Sequence, residues 1–318
     1  MAVERLVDDP ARLREIRDET PYVSRRLGPL DDVFSCELAQ ELLFTRGLRA
    51  PYVRLLRDGH EMGVRREAAA HSGRAPSVSE RRQLSGLADP HHVMAQIDAG
   101  ATLVLQSLSL YCPEVAAFCA ELSAEIGYPV SPTAFLTPPR ATGAAPHYDL
   151  SSVFIRQLAG AKTWRVQAPD QRWPVTRCKP GIVPDTPVVM EVRLEAGDCL
   201  YIPRGFYHEG STGEDGSIHL SFSEGTEDAW VTLMHDVLDL AARDVELLRG
   251  RLPGPAEAMS GQLRTSWAPV REALITYLGD LPDEKVAALL IRRTRAKEAP
   301  LPPAPGALAG RLSLNGQS

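Results

Sequence analysis

His147 and Asp149 stand two residues apart and offer an imidazole and a carboxylate, and His208, well downstream, offers a second imidazole. Residues i and i+2 of an extended strand share a face, so the first pair can reach one metal ion if the stretch is extended. Pro146 favours that, because its ring holds the preceding Ala145 in the β region. Two histidines and one carboxylate make a facial triad with open coordination positions, the donor set of non-haem Fe(II) oxygen chemistry. A His-x-Asp alone arises by chance in many chains; the context of His208 gives this one weight. Leu194-Glu195-Ala196-Gly197-Asp198-Cys199-Leu200-Tyr201-Ile202-Pro203 reads as strand, Gly-Asp turn and strand. Pro203 and Gly205 then end that strand and turn the chain, which presents His208 at a strand edge.

The elements that must carry these residues begin at Val130, where the texture becomes short strands separated by turns. Strands are expected at 132–137, 147–156, 162–168, 187–194, 198–202 and 217–223, the spacing of an antiparallel barrel or jelly roll. Ala159-Gly160-Ala161 reads as the turn between the second and third, and 169–187 as a long loop. Lys162 alternates with Trp164 and Val166, so it can share their inward direction, and a buried ammonium needs an anionic partner.

On the N-terminal side, Asp31 to Leu43 suggests an amphipathic helix ending near Gly47, followed by a short strand at Tyr52 to Leu56. Residues 60–85 are rich in arginine and read as a solvated loop. Asp89-Pro90 opens a helix that Gly100 stops. His91 and His92 in its first turn are adjacent, point to different sides and make a poor metal pair. Ala101 to Leu105 is an apolar strand. Pro113 to Ile126 is a helix with Val115, Phe118, Cys119, Leu122 and Ile126 on one face. After Gly225, Thr226 can cap a helix whose apolar stripe reads Val231, Met234, Leu238, Ala241, Val245 and Leu248, with Gly250 as its stop. Ser266 and Pro282 open two more. From Ala299 onward Pro, Ala, Gly and Ser dominate, the composition of a disordered tail.

Hydrophobic residues make up 44% of the 318, enough for a substantial core, and the formal net charge is −6. That charge gives no footprint for nucleic acid or an anionic membrane surface. No apolar run reaches membrane-spanning length, and the charged first residues lack the apolar stretch of a signal peptide. Five scattered cysteines without a Cys-x-x-Cys indicate neither a disulfide framework nor a zinc knuckle. A soluble cytoplasmic protein is the expectation.

Around the triad the chain resembles the JmjC-type, cupin-like 2-oxoglutarate oxygenases, and within them the ribosomal-oxygenase branch of protein hydroxylases. The matching text is His147-Tyr148-Asp149, Val153-Phe154-Ile155-Arg156-Gln157, Gly160-Ala161-Lys162-Thr163-Trp164-Arg165-Val166, Glu195 to Gly205, His208-Glu209 and Ser217 to Phe222. The resemblance implies an α+β protein with a mainly β core, a double-stranded β-helix. It implies Fe(II) held by His147, Asp149 and His208, with 2-oxoglutarate and O₂ as cosubstrates. Lys162 stands where family members place a cation for the far carboxylate of 2-oxoglutarate, and His219 and Ser221 on the last strand are further candidates for binding it. The domain layout that follows is an α/β decoration at 1–89, the β-helix at 90–225, a helical and dimer-forming region at 226–298, and the tail at 299–318. The helical region and short tail leave little room for the complete winged-helix-like module that the ribosomal oxygenases carry. The implied substrate is an unactivated C–H of an amino-acid side chain in a protein or peptide. Two alternatives stand beside it: a hydroxylase of a free amino acid or natural product, and a non-catalytic metal-binding cupin serving as sensor or scaffold. A cupin isomerase or dioxygenase independent of 2-oxoglutarate would have no need of Lys162.

Overall fold

The computed structural model of the chain describes residues 1–65, 86–225, 230–259 and 263–297. Its strands are β1 Tyr22–Ser24, β2 Val53–Arg57, β3 His60–Met62, β4 Thr102–Gln106, β5 Val130–Thr137, β6 Val153–Gln167, β7 Val188–Glu195, β8 Cys199–Ile202, β9 Tyr207–Ser211 and β10 Ser217–Glu224. One path of antiparallel pairing runs β1-β8-β6-β10-β5-β4-β2-β3, and β7 and β9 pair with the second half of β6. This is the expected jelly roll with a helical C-terminus.

β6 is the spine. Its first half lies between β8 and β10, its second between β7 and β9. The expected turn at Ala159-Gly160-Ala161 is instead a bend in one continuous strand. Gly160 makes the bend with φ +62°, and a Cβ there would collide with the Gly216 carbonyl, so only glycine fits. A bulge against β10 at Ile218/His219 absorbs the change of direction.

Alternation along β6 divides its side chains between two cores. Val153, Ile155, Trp164 and Val166 join Leu194, Leu200 and Ile202 inside the barrel. Phe154 faces outward with Tyr201, Leu220 and Phe222 and is covered by Phe118, Cys119 and Leu122 of the helix Pro113–Ile126. Pro113 starts that helix and Gly127, at φ +80°, ends it, as the sequence leads one to expect.

Several boundaries move. The first long helix is Cys36–Thr45, because the Ser35 hydroxyl accepts from Leu38 N and caps it there; Asp31 to Phe34 form a turn. Residues 147–152 are not part of a strand, and His147 makes only an isolated bridge to His208. A strand absent from the expectation, β9, carries His208. The Arg-rich stretch beyond residue 65 and the tail lie outside the described residues.

Contacts divide the chain into two units, Met1–Thr226 and Glu227–Glu298. The second contains the helices Trp230–Asp244, Pro255–Met259, Leu263–Gly279 and Asp283–Lys297. Its small core is Leu233, Val237 and Leu289, and Arg293 pairs with Asp236 at 2.6 Å. The first of these helices stops at Asp244, short of Gly250, and it buries Leu233, Val237 and Ala241; Val231 and Leu238 of the expected stripe are exposed. None of the described helices is long and apolar enough to cross a membrane.

Candidate metal and cosubstrate site

His147, Asp149 and His208 come together: each offers a ligand atom, and these atoms all lie within 4.8 Å of one another. Asp149 sits between the imidazoles, its oxygens 3.8 Å from His147 Nε2 and 3.7 Å from His208 Nε2. Two elements set this geometry. His208 belongs to β9, and its backbone exchanges both hydrogen bonds with His147, at 2.8 and 3.2 Å. A single antiparallel bridge thus does the work expected of a strand. Asp149 is held by its own carbonyl, which accepts from Gly205 N at 3.1 Å.

The imidazole tautomers follow from their partners. Nδ1 of His147 lies 2.8 Å from the Ala145 carbonyl, and Nδ1 of His208 lies 3.1 Å from the Phe206 carbonyl. A carbonyl only accepts, so each Nδ1 carries the proton and each Nε2 turns a lone pair toward Asp149. Fixing the tautomer through the distal nitrogen is the usual arrangement around metal-bound histidine. Burial, and then the facing His147, push His208 down to about 4, which keeps it neutral and available as a ligand. The donor set and its protonation therefore fit a divalent iron.

The segment is braced from the loop that follows β6. Tyr148 N donates to Cys178 Sγ at 3.3 Å, Tyr148 Oη donates to the Thr176 carbonyl at 2.9 Å, and Gly181 N donates to the Pro146 carbonyl at 2.8 Å. From the other side, the β2–β3 turn meets Ala145: a Cβ on Gly59 would come within 2.7 Å of the Ala145 methyl.

Lys162 points into the barrel and is 2% exposed. Nζ donates to Thr137 Oγ1 at 3.0 Å, and Thr102 Oγ1 donates to the same oxygen at 3.2 Å. No carboxylate among the described residues pairs with it, and burial pushes it down to about 7. A cation with one neutral acceptor is incomplete, and an anionic ligand would complete it. Room is reserved as well: a Cβ on Gly210 would come within 2.9 Å of Lys162 Cε, and one on Gly143 within 3.5 Å of Nζ. These residues fit the far carboxylate of a diacid.

His219 is buried, stacks on Phe135 with ring centroids 4.8 Å apart and leaves Nδ1 without a partner. Burial, then the Lys162 charge, hold it well below the ordinary histidine range, so it is neutral. Trp164 links the parts: its ring lies 6.1 Å from His208 and 5.4 Å from His219, and Lys162 Nζ lies 5.4 Å from its centroid. Ser221 lies two residues beyond His219, opposite Ile155, and no hydrogen bond joins its hydroxyl to these groups. Thr137, Thr102 and Gly210 had escaped sequence reasoning. Gly210, two residues after His208 on the same strand face, was the one readable signal. His91 and His92 stay apart from the site: Asp89 caps their backbone amides, and His92 Nε2 meets the Gly63 carbonyl at 3.2 Å.

Comparison with known proteins shows similarity in sequence and in fold. Residues 112–230 match the JmjC domain family. The protein of Drosophila persimilis named bifunctional lysine-specific demethylase and histidyl-hydroxylase NO66 is 30% identical over 210 residues, covering 63% of this chain and 30% of that protein. Human ribosomal oxygenase 1 is 32% identical over 238 residues, covering 70% of this chain and 35% of that protein. The chain thus spans about a third of the length of these relatives. The structure of Escherichia coli YcfD, a ribosomal oxygenase in complex with cobalt and 2-oxoglutarate, superposes with a TM-score of 0.54 at 19% identity, over 86% of this chain and 67% of that one. At that identity the likeness speaks for the fold.

Proposed function

Because residues 112–230 match the JmjC domain family, we propose that the protein is an Fe(II)- and 2-oxoglutarate-dependent oxygenase that hydroxylates an amino-acid side chain in a protein or peptide. The observation that carries the reading is the pairing of a three-ligand cluster with a buried lysine that lacks an anion. A non-catalytic metal-binding cupin has no use for that lysine. His147, Asp149 and His208 would hold the iron, and Lys162 the far carboxylate of the cosubstrate. His219 is the next candidate for contact with it; Ser221 has only its inward position in its favour. When bound, iron with 2-oxoglutarate and O₂ supplies the oxidative decarboxylation to succinate and CO₂ that drives insertion of oxygen into a C–H bond. The protein's own residues do the rest. Ala145 and Phe206 carbonyls fix the imidazoles, β9 and the bridge at His147 fix the ligand spacing, and burial in the barrel shields Lys162 from bulk solvent.

The names of the relatives favour a protein substrate, and histidine among its side chains. We further propose a homodimer through residues 226–298, since the second unit exposes Trp230 at 77%, Trp267 at 50% and Ile275 at 61%. The net charge of −6 argues against nucleic acid as a partner.

The test has two steps. Anaerobic addition of Fe(II) and 2-oxoglutarate should give the weak visible metal-to-ligand charge-transfer band of the ternary complex. With O₂, intact ribosomes, a peptide library and free amino acids are then compared by mass spectrometry for gain of one oxygen coupled to succinate. Gain on protein or peptide supports the reading. Gain on free amino acids alone replaces it with a small-molecule hydroxylase. Absence of the charge-transfer band refutes it.

A further inference from the structure

Resting on that reading, we infer that the indole N–H of Trp164 donates a hydrogen bond to bound 2-oxoglutarate, making Trp164 a cosubstrate-binding residue alongside Lys162. Trp164 is 6% exposed, and its Nε1 is buried with no hydrogen-bond partner. Buried indole N–H groups ordinarily find an acceptor. Among the described residues only five buried side-chain polar atoms lack one, and two of them, Trp164 Nε1 and His219 Nδ1, belong to rings in contact at 5.4 Å.

The place agrees. The Trp164 ring lies 6.1 Å from that of the metal-ligand candidate His208 and 5.4 Å from Lys162 Nζ. A short diacid held between a metal at His208 and Lys162 would lie within reach of this ring. A Cβ on Gly210 would come within 3.1 Å of Cε3 and Cζ3, so the benzo edge is turned to β9. The donor count points to an anion. The ammonium and the indole N–H are donors only, and the one acceptor they meet is Thr137 Oγ1. A buried site with surplus donors is satisfied by a ligand that is rich in oxygen acceptors and negatively charged. Packing alone would explain the ring and leave the N–H idle, and the experiment separates the two.

Binding of 2-oxoglutarate to the Zn(II)-loaded protein is measured by calorimetry for wild type, Trp164→Phe and Lys162→Met. Phenylalanine keeps a ring and removes the N–H. The expected result is about tenfold weaker binding in Trp164→Phe, the order for a hydrogen bond to a charged group, with Zn(II) affinity unchanged. An unchanged dissociation constant in Trp164→Phe, with Lys162→Met weakened, overturns this inference and leaves the functional reading standing. Failure of the wild type to bind 2-oxoglutarate overturns both. Should Trp164→Phe not fold, a chain with Trp173, Trp230 and Trp267 replaced by Phe leaves one indole. The three removed are 43%, 77% and 50% exposed. Its ¹⁵N–¹H indole resonance should move downfield and exchange more slowly when 2-oxoglutarate is added, and a resonance that stays in place overturns the inference.

Discussion

At the scale of single residues, the ligand cluster and Lys162 carry separate predictions. Replacing His147 or His208 by alanine should abolish stoichiometric metal binding and turnover together, since two remaining ligands cannot retain the ion; atomic absorption after dialysis checks it. Lys162→Met should weaken 2-oxoglutarate binding by roughly 2–5 kcal/mol, the cost of leaving one member of a buried charge pair alone. Lys162→Arg should keep part of it, the charge surviving with altered geometry. The same methionine should raise the melting temperature of the ligand-free protein at neutral pH. The unfolded lysine titrates near 10.5 and the folded one near 7. Between those values the unfolded chain holds more protons, so the lysine's penalty on stability is full below about 7 and is relieved as pH rises toward 10.5. Cosubstrate binding has the reverse dependence. The complex needs the charged ammonium, so above about pH 7 binding takes up a proton and 2-oxoglutarate affinity should fall by roughly tenfold per pH unit, measured by calorimetry at pH 7, 8 and 9. A flat profile would mean that Lys162 stays charged without its ligand.

At the scale of elements, β6 does what the sequence assigned to two strands. Its two halves were legible, because alternation of Val153, Ile155, Trp164 and Val166 marks one face in each. The link was not, because Ala159-Gly160-Ala161 has the composition of a tight turn. Only the approach of the Gly216 carbonyl shows that Gly160 bends the strand. The clustering was likewise expected from a strand and comes from another element: His147 and Asp149 meet His208 from an irregular segment that one bridge to β9 holds. Such pairing between distant residues leaves no local pattern. The Thr137–Lys162 contact was hidden for the same reason. Gly160→Ala should cost at least about 2 kcal/mol, from the left-handed backbone and the clash together. That corresponds to a fall of roughly 4 °C or more in melting temperature, checked by calorimetric scanning. An unchanged melting point would mean that β6 can bend elsewhere.

At the scale of the whole molecule, the exposed tryptophans and isoleucines of the second unit predict association. Light scattering at micromolar concentration should give twice the 34.7 kDa chain mass, and Trp267→Glu with Ile275→Glu should return it to a single chain. A monomer from the wild type would remove the dimer. The barrel carries one more whole-molecule commitment, in Arg156. It is 1% exposed and bonds only to carbonyls: Arg5, Leu27 and Gly28 near the start of the chain, and Gln157 and Asp198 within the sheet. The Arg5 partner is 151 residues away in sequence. This guanidinium therefore ties residues 5, 27 and 28 to β6, 151, 129 and 128 positions on, a closure of high sequence separation of the kind that slows folding.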